Sequence, residues 1–355
     1  MIFKVATGAY GNIGDAVIRR HVVHWFDSLP VAQSHVYIGN APEEWIRSIA
    51  IGPEEQVYRS DAKRAWLLRL FGAPRNTILL LDPGEVPLGW RDLPAEVVML
   101  AASALVRVKG GSVIRPPRSI GRRSPLGVIV HRCAVLLSSV VMWRDADSRR
   151  LIRRGKLVPD IAFAEPIVRG NSFESRDVLA VSFRLGRPFP NEAVFAGIAA
   201  LAREYSLRIV TFSQVFDDEQ RNVEVYEEFV SRGVDTEHLE WSTDELAHEA
   251  SIRDIYKRAL FTCSDRLHVL ILASMGRSLP VEYVSAPRPK IDTVFSQVGI
   301  SGVSMDANRV GESEFRNIVK RRHKTRDIEH QSITRVHGEI QFVVDNLVKE
   351  LSNAV

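Results

Sequence analysis

Cysteine is scarce in this chain of 355 residues, which contains only Cys133 and Cys263. The sequence therefore has no CxxC pair and no Cys/His cluster of the kind that holds structural zinc. The two cysteines lie far apart in sequence, in apolar and strand-like settings, so we expect buried free thiols rather than a disulfide. No cluster of carboxylates indicates a metal site, and we expect none.

Long uninterrupted apolar runs are also missing. The longest apolar region, residues 126–143, is interrupted by His131 and Arg132. It predicts a buried helix followed by a strand rather than a membrane span. The N-terminus begins with a strand-like segment, residues 2–7, and shows neither the basic nor the apolar region of a signal peptide. These features predict a cytoplasmic protein.

A strong excess of one charge is absent as well. The formal net charge is +4, the isoelectric point is about 9.1, and 45% of the residues are hydrophobic. This composition is ordinary for a soluble globular protein. The mild basic excess favours anionic ligands such as phosphates or a lipid headgroup surface, and it does not by itself indicate nucleic acid.

Strand-like and helical segments alternate through most of the chain. Strand-like runs occur at 2–7, 36–39, 77–81, 112–115, 140–143 and 161–164, with helical patterns between them such as 59–71 and 94–106. A second series follows with strand-like runs at 178–183, 207–212, 238–241, 259–263 and 279–284. This alternation predicts an α/β fold with largely parallel sheets covered by helices. The length suits two domains.

Residues 165–176 are the best candidate for a linker, because they carry proline, glycine, asparagine and serine with little apolar periodicity. They divide the chain into a predicted N-terminal domain at 1–165 and a C-terminal domain at 177–305. The tail, 306–355, is helical in pattern and includes a basic run at 320–326. That run is either a solvated face or hinge, or a contact with an anionic lipid or a lipid-linked acceptor.

A glycine-rich turn at 8–15 follows the first strand and leads into a helical pattern; it includes Asn12, Gly14 and Asp15. A strand, a glycine-rich turn and a helix together present free backbone N–H groups and a helix dipole to an anion. Alternatively, the glycines only permit a tight turn. The spacing is neither GxGxxG nor GK[ST], so it predicts neither a dinucleotide fingerprint nor a P-loop.

Basic residues follow several predicted strands directly. Arg266 and His268 lie where the strand 259–263 becomes a helix, which is where open α/β sheets build their sites. A fixed cation and a titratable imidazole suit an anionic substrate and a proton transfer. Arg144 and Arg184 also follow strands. Arg144 either binds substrate or forms an ion pair with Asp145 or Asp160.

A basic segment at 115–123 is rich in proline and glycine and contains Arg115, Arg118, Arg122 and Arg123. We interpret it as a loop. It either holds a phosphate or an anionic membrane surface, or is simply solvated, because exposed arginines are common.

Four motifs occur in a fixed order along the chain. They are Gly11-Asn12-Ile13-Gly14-Asp15, then Arg144-Asp145 with Ser148, Gly155 and Pro159-Asp160, then Ser182-Phe183-Arg184, and last Ser264-Asp265-Arg266-Leu267-His268 with Ala273, Gly276 and Pro280. Together they resemble the polysaccharide pyruvyl transferase family over most of residues 2–300. One departure is that Asp82-Pro83-Gly84 stands where the family often carries a glycine triplet.

The resemblance implies two Rossmann-like domains facing each other across a cleft, as in GT-B glycosyltransferases. The N-terminal domain would be the acceptor side and the C-terminal domain the phosphoenolpyruvate side. The implied reaction moves the pyruvyl group of phosphoenolpyruvate onto two hydroxyls of a sugar and releases phosphate. The acceptor would be a cell-surface polysaccharide or its lipid-linked oligosaccharide precursor. Phosphoenolpyruvate is the donor substrate, no separate cofactor is implied, and we expect a peripheral contact with the anionic inner face of the membrane.

Such a substrate needs several fixed positive charges, because phosphoenolpyruvate carries a phosphate and a carboxylate. Arg144, Arg184 and Arg266 are the candidates, and Lys290 either adds a point charge or is an exposed loop lysine. His268 is a candidate general acid or base, or else a structural histidine. Asp15 is either the base for the sugar hydroxyl or the cap of the first helix.

Two other functions fit the same sequence. A GT-B glycosyltransferase would use the same domain plan and basic residues to bind the diphosphate of a nucleotide sugar. A non-enzymatic module could bind polyanions or a membrane surface through 115–123 and 320–326. The basic segments lack the interleaved aromatic residues that stack on bases, so we expect no nucleic-acid partner.

Overall fold

A computed structural model describes residues 1–30, 33–168 and 175–353 of the chain. The chain divides into two compact units: the first contains Met1–Tyr10, Asp15–Ile161 and Ile340–Val355, and the second contains Gly11–Gly14 and Ala162–Glu339. The division near residue 161 lies close to the predicted one at 165. Two segments differ from the predicted domains, since Gly11–Gly14 group with the second unit and Ile340–Val355 with the first. The predicted linker 165–176 includes residues 169–174, which lie outside the described residues.

The first unit is built on a parallel sheet. Its strands are β1 (Ile2–Val5), β2 (Ser34–Gly39), β3 (Gln56–Arg59), β4 (Ile78–Leu80), β5 (Gly84–Leu88), β6 (Ser112–Arg123), β7 (Val140–Trp143) and β8 (Lys156–Leu157). Its helices are α1 (Ile13–Val23, whose first two residues group with the second unit), α2 (Glu43–Ser48), α3 (Lys63–Phe71), α4 (Leu93–Val108), α5 (Pro125–Leu136) and α6 (Ala146–Ile152). The strand order is β3-β2-β1-β4-β6-β7-β8, and β5 also pairs with β6.

The second unit repeats this architecture. Its strands are β9 (Val178–Ser182), β10 (Arg208–Phe212), β11 (Thr236–Leu239), β12 (Ala259–Ser264), β13 (Leu279–Val284) and β14 (Ser304–Asp306). Its helices are α7 (Glu192–Glu204), α8 (Glu219–Ser231), α9 (Glu245–Arg258), α10 (Leu267–Met275), α11 (Pro289–Gln297), α12 (Glu312–Lys324) and the first part of α13 (Arg326–Ser352). The strands pair in parallel, in the order β11-β10-β9-β12-β13-β14.

Strand order reverses at one place in each sheet, between β1 and β4 in the first unit and between β9 and β12 in the second. Ligands of open α/β sheets bind outside the carboxyl ends of the strands at such switch points. The prediction of two α/β domains with largely parallel sheets is confirmed. Each unit therefore has one position where a site is expected from topology alone.

The burial pattern of the second unit explains why its strands and helices could be predicted from the sequence. Every residue of β9 and β12 is buried, as expected for central strands of a parallel sheet covered on both faces. In α10 all residues are buried except His268. A helix that is apolar on nearly every side must lie inside the protein, so the single polar residue in its first turn stands out.

Two predicted elements are wrong. Residues 161–164 form a 3-10 turn, Ile161–Ala164, rather than a strand; all four are buried, so the apolar run reports burial and not extension. The segment 115–123 is not a loop but most of β6, which runs from Ser112 to Arg123. Its two prolines fall where the register between β6 and β7 shifts, which is a place where a strand tolerates proline.

The apolar region 126–143 is confirmed as a helix plus a strand, α5 and β7. None of the described helices is long and apolar enough to cross a membrane. Both cysteines are free, but only Cys263 is buried. Cys133 is exposed because it lies on the outer side of α5 rather than in a strand, which corrects the expectation for that residue.

Candidate active site

The switch point of the second sheet carries three of the predicted site residues. Arg184 follows β9, Arg266 follows β12, and the ends of these strands are neighbours because Ser182 pairs with Ser264. His268 comes two residues after Arg266, in the first turn of α10. Sequence position alone had placed these side chains at strand ends, and the topology brings the two strand ends together.

The loop after β9 is held in place by buried polar side chains. The backbone N–H of Arg184 donates to Asp265 Oδ1 at 2.9 Å, and that of Leu185 donates to Asp218 Oδ1 at 3.0 Å. Arg221 Nη1 donates to the carbonyl oxygen of Arg187 at 3.1 Å. Asp218 and Asp265 are 1% and 4% exposed. The backbone that carries Arg184 and Arg187 is therefore fixed before any ligand arrives.

Asp218 also fixes Arg266, because its Oδ2 accepts a hydrogen bond from Arg266 Nε. One buried carboxylate thus holds both the loop after β9 and the guanidinium after β12. Sequence reasoning saw Asp218 only as the beginning of a helix. Its role depends on the neighbouring strand ends, so no local pattern reveals it.

A fourth arginine, Arg288, joins this group from the loop after β13. Its backbone N–H donates to Glu282 Oε1 at 3.1 Å, and it stands immediately before α11. Partial burial lowers the pKa of Arg288, and the positive charges of Arg184 and Arg187 lower it further. We call Arg184, Arg187, Arg266 and Arg288 the arginine cluster.

The acidic groups beside the arginine cluster do not fully neutralise it. Burial raises the pKa of Asp265, and it raises the pKa of Glu282 to about 7. Asp218 is engaged by Arg266. Four guanidinium groups held this close repel one another, and a ligand with two anionic groups would relieve that repulsion. The N-termini of α10 and α11 add positive partial charge at the same edge.

Lys290 lies in the first turn of α11, two residues after Arg288, and is half-buried. The structure therefore places it near the end of the strand that supplies Arg288. Its predicted point-charge role stays a prediction. Sequence reasoning singled out Lys290 and passed over Arg288, although the two are separated by a single residue.

The turn between β1 and α1, which contains Asn12, brings Gly14 at the start of α1 to His268. Ile13 N–H donates to the carbonyl oxygen of Gln214 at 3.1 Å, and Asn12 forms a β-bridge with Val215. A Cβ built on Gly14 would lie 2.5 Å from His268 Cβ and 2.6 Å from His268 Nδ1. Glycine at position 14 is thus required by the close approach of the imidazole rather than by a positive φ.

Asp15 belongs to the first unit and lies in the first turn of α1 rather than at its cap, because α1 begins at Ile13. Its Oδ2 accepts from Ala9 N–H at 3.2 Å and lies 3.4 Å from Arg19 Nη1. The alternative that Asp15 caps the helix is therefore wrong in its detail, although the side chain does satisfy a backbone N–H in the turn.

Asp82 is a candidate that sequence reasoning missed. It follows β4 at the switch point of the first sheet, and its carboxylate meets Arg19 Nε at 3.0 Å and the hydroxyl of Thr7. Burial raises the pKa of Asp82 to about 6, against the opposing effect of Arg19. The available signal was the departure from the glycine triplet at Asp82-Pro83-Gly84. A carboxylate with this pKa can accept a proton near neutral pH.

Arg144 is committed to a buried network in the first unit. It is 5% exposed, and its Nη1 donates to Asp160 Oδ2 at 2.8 Å. Its Nε and Nη2 donate to Ser119 Oγ at 3.1 and 2.9 Å. Of the two readings of Arg144, the structure shows the ion pair with Asp160. A substrate would have to replace partners that already satisfy the guanidinium.

The basic stretches expected at the surface are partly buried. Arg115 and Arg118 are 1% and 5% exposed, which corrects the interpretation for these two residues, whereas Arg122 and Arg123 of the same segment are exposed. In the run 320–326, Arg322 is also buried and pairs with Glu329 at 2.8 Å. Arg115, Arg118 and Arg322 stabilise the interior, so they cannot serve the polyanion-binding module considered above.

A groove of about 930 Å³ adjoins the turn that carries Asn12 and Gly14. Its aromatic lining includes Phe216 and Trp241, whose ring centroids are 5.7 Å apart. Phe216 N–H donates to the carbonyl oxygen of Gly11 at 3.0 Å, so the groove is connected to the turn that touches His268. Carboxylates also line it: Glu219, Glu227, Asp235, Glu237 and Glu240. Flat rings beside hydroxyl-accepting carboxylates suit a sugar or a nucleoside better than a phosphate.

Within residues 1–30, 33–168 and 175–353, no three histidine, cysteine, aspartate or glutamate side chains lie together so as to hold a metal ion. The chemistry that the site offers is that of cations, an imidazole and carboxylates.

Several solved structures share this architecture. The Neisseria meningitidis UDP-GlcNAc 2-epimerase bound to UDP-GlcNAc has a TM-score of 0.56 and 10% identity, over 98% of this chain and 99% of that one. An Anabaena protein in complex with UDP and glucose has a TM-score of 0.55 and 11% identity, over 97% and 99%. The Methanocaldococcus jannaschii UDP-GlcNAc 2-epimerase has a TM-score of 0.54 and 12% identity, over 90% and 92%.

No protein-family model matches the chain, and no curated protein matches it. At identities near a tenth, the similarity to solved structures concerns the fold. The chain has a GT-B-like fold with two Rossmann-like units, so the predicted fold class is confirmed.

Proposed function

We propose that this chain is a sugar-modifying enzyme that transfers the pyruvyl group of phosphoenolpyruvate onto a sugar and releases phosphate. The arginine cluster beside His268 is the observation that carries the proposal. Phosphoenolpyruvate presents a phosphate and a carboxylate on one small frame, and four guanidinium groups at one sheet edge match those two anions. The acceptor is proposed to be a cell-surface polysaccharide or its lipid-linked precursor, by the family resemblance.

The proposed reaction begins with transfer of a proton to the methylene carbon of phosphoenolpyruvate, which becomes a methyl group. The adjacent carbon gains positive character and is attacked by a sugar hydroxyl, whose proton passes to a base. Phosphate then leaves with the bonding pair, and a second hydroxyl closes the ketal and loses its proton to the departing phosphate or to solvent. His268 is the proposed acid, because it is an imidazole two residues after Arg266 of the cluster.

The first unit offers two carboxylates as the base for the sugar hydroxyl, Asp15 and Asp82. We favour Asp82, because its pKa is raised to about 6 and it can therefore hold a proton near neutral pH. If so, Asp82→Asn lowers turnover strongly and leaves phosphoenolpyruvate affinity unchanged. An Asp82→Asn enzyme with full turnover would return the role to Asp15.

The direct test is release of inorganic phosphate from phosphoenolpyruvate in the presence of lipid-linked or para-nitrophenyl sugars. We expect release that depends on the sugar and is lost in His268→Ala. Arg288→Gln should weaken phosphoenolpyruvate binding about 10- to 100-fold, because a hydrogen bond to a charged group is worth about 1.5–3 kcal/mol. Arg309→Gln is the matched control, since Arg309 is an exposed arginine of the same unit outside the arginine cluster. No sugar-dependent release with any acceptor, together with no binding of phosphoenolpyruvate, contradicts the proposal.

A GT-B glycosyltransferase that uses a nucleotide sugar is the second candidate. The groove with Phe216 and Trp241 favours it, because flat aromatic rings can stack on a base, and two of the similar structures contain UDP or a UDP-sugar. Thermal stability with ligand separates the two functions: phosphoenolpyruvate raises the melting temperature in the first case, and a nucleotide diphosphate sugar does so in the second. In the second case Trp241→Ala abolishes the rise in melting temperature caused by the nucleotide diphosphate sugar. Arg288→Gln does not make the protein selective for phosphoenolpyruvate.

A further inference from the structure

The outward side of α5 is apolar. Its exposed positions include Leu126, Ile129, Cys133 and Leu136, which recur at helical spacing along one side. Ile129 is 55% exposed and Leu136 66% exposed. A solvated helix normally presents charged residues on this side. An apolar face of this kind on a folded protein usually marks an interaction surface.

The orientation of α5 is fixed by its other side. His131 Nδ1 lies 2.8 Å from Glu96 Oε2 on α4, and His131 is fully buried. Val128, Ala134 and Val135 are buried on the same inner side. Rotating the helix to hide Ile129 would expose this buried pair. The apolar outer side is therefore a stable feature of the fold.

Trp90 is a further exposed apolar side chain, and the backbone next to it lies near the beginning of α5. It is 66% exposed and precedes α4. The backbone beside it is tied to the helix, because Ser124 N–H donates to the carbonyl oxygen of Leu88 at 2.8 Å. A Cβ on Gly89 would lie 2.9 Å from Arg122 Nε, so Arg122 covers the residue next to Trp90. We call Trp90, Leu126, Ile129, Cys133 and Leu136 the α5 face.

Arginines border the α5 face. Arg122 is 69% exposed and Arg123 is exposed at one end. Arg132 is exposed within the helix itself. At the other end, Arg154 Nη1 donates to the carbonyl oxygen of Leu136 at 2.8 Å. No acidic residue occurs in the sequence between Glu96 and Asp145, and Glu96 is buried. Two acids outside that stretch reach the border, because Arg122 Nη2 lies 3.5 Å from Asp92 Oδ2 and the exposed Glu85 lies beside Gly121. Arg123, Arg132 and Arg154 leave the border with a net positive charge.

We propose that the α5 face is a docking surface for an anionic lipid bilayer. Exposed leucine and isoleucine on a helix that lies flat, with arginines at its edge, are the features of an interfacial helix. A tryptophan at the rim suits the boundary between headgroups and acyl chains, where one side of the ring is apolar and the other is wet. The negative potential of such a bilayer complements the cationic border, and this complementarity favours a membrane over an apolar protein partner.

This surface shares Arg122 and Arg123 with the basic segment 115–123, but it is not that segment. It needs the apolar side chains of α5, and Arg115 and Arg118 cannot contribute because they are buried. The proposal is also independent of the reaction. A protein that binds an anionic bilayer through the α5 face could carry out either of the two proposed activities.

Flotation of the full chain with vesicles is the experiment. We expect the protein to float with mixed phosphatidylglycerol and phosphatidylcholine vesicles, and to remain unbound with phosphatidylcholine alone. Leu126→Ser with Ile129→Ser should lower the partition coefficient at least about tenfold, because the two side chains lose their burial in the bilayer. Arg122→Gln with Arg123→Gln should lower it about fivefold for each arginine. Added salt should weaken the binding of the wild-type protein to the vesicles. It should weaken the binding of the arginine variant less.

The matched control is Leu68→Ser with Phe71→Ser on α3, which removes two side chains that are 71% and 67% exposed. It should float like the wild-type protein. Equal binding to both vesicle types, no binding to either, or unchanged binding of the Leu126/Ile129 variant overturns the proposal. Concentration-dependent dimers that disappear in that variant, without vesicle binding, would show that a second copy covers the α5 face. Thermal unfolding of each variant shows whether a loss of binding is a loss of folding.

Discussion

Gly14→Ala tests the contact between the turn after β1 and His268. Helix propensity alone predicts stabilisation of about 1 kcal/mol, because Gly14 lies within α1 and its φ is not in the left-handed region. The structure predicts the opposite result. The new methyl carbon would stand 2.5 Å from His268 Cβ, which is far inside van der Waals contact.

The magnitude follows from these two opposing effects. An overpacked contact lowers the free energy of unfolding by about 1–3 kcal/mol. The net change for Gly14→Ala is then between about zero and a loss of about 2 kcal/mol, since propensity returns about 1 kcal/mol. Because His268 must move, we also expect sugar-dependent phosphate release to fall at least about tenfold, as a misplaced catalytic group does.

Gly338→Ala on α13 supplies the control. Gly338 is exposed, and in the described part of the chain no heavy atom outside the helix's own backbone lies within 4 Å of a Cβ built on it. The free energy of unfolding of this variant should rise by about 1 kcal/mol, because alanine has the higher helix propensity, and turnover should stay complete. Urea unfolding and phosphate release are measured on both variants. If Gly14→Ala is as stable as Gly338→Ala and retains wild-type turnover, the imidazole is not packed against this turn and the reasoning fails.

Three further predictions concern buried charges. Burial raises the pKa of Glu282 from 4.5 to about 7, so the folded state binds the proton more tightly than the unfolded state. The stability of the folded state therefore falls as pH rises from about 4.5 to about 7. Glu282→Gln should flatten that part of the curve of unfolding free energy against pH, and an unchanged slope contradicts the assignment. Asp160→Asn should cost about 3–5 kcal/mol by leaving Arg144 buried without its carboxylate, measured by urea unfolding, and a loss below about 1 kcal/mol would show that Arg144 finds another partner. Asp218→Asn should free Arg266 and the loop after β9, which weakens phosphoenolpyruvate binding about tenfold or more by calorimetry; unchanged affinity would remove Asp218 from the organisation of the site.

The fold was largely readable because its periodicities are simple. The central strands are short apolar runs, and turns or polar residues separate them from the helices, so α/β alternation was visible. Strand β5 was missed because it contains Pro87 and alternates buried with exposed residues over only five positions. Proline lowers the expectation of a strand, and here β5 pairs only with the far half of β6.

The site was readable where a residue's role depends on its position after a strand. The positions of Arg184, Arg266 and His268 after strands could be predicted in this way, and their roles stay predictions. Arg288 and Asp218 were not predicted, because their roles come from neighbours that lie far away in sequence. Arg288 acts beside Arg184, and Asp218 receives Arg266; both relations exist only once β9, β12 and β13 lie side by side.

The dependence on neighbours that lie far away in sequence also explains why the burial of Arg115 and Arg118 was not predicted. Arg115 and Arg118 were interpreted as exposed because their segment contains two prolines and several charges. The structure buries them: Arg115 Nε donates to Ser138 Oγ at 2.9 Å, and Arg118 donates to the carbonyl oxygen of Asp82. Composition indicates charge, but only tertiary contacts decide whether the charge faces water.

The membership of the two units bears on how the chain can fold during synthesis. The first unit includes Ile340–Val355, and Ile340, Leu347 and Leu351 are buried. The second unit includes Gly11–Gly14, which are made well before the rest of that unit. Domains usually fold in the order in which the ribosome delivers them. Here the first unit cannot be complete until residues 340–355 have emerged, and the second joins Gly11–Gly14 to Ala162–Glu339, so neither unit can fold as one continuous segment of chain.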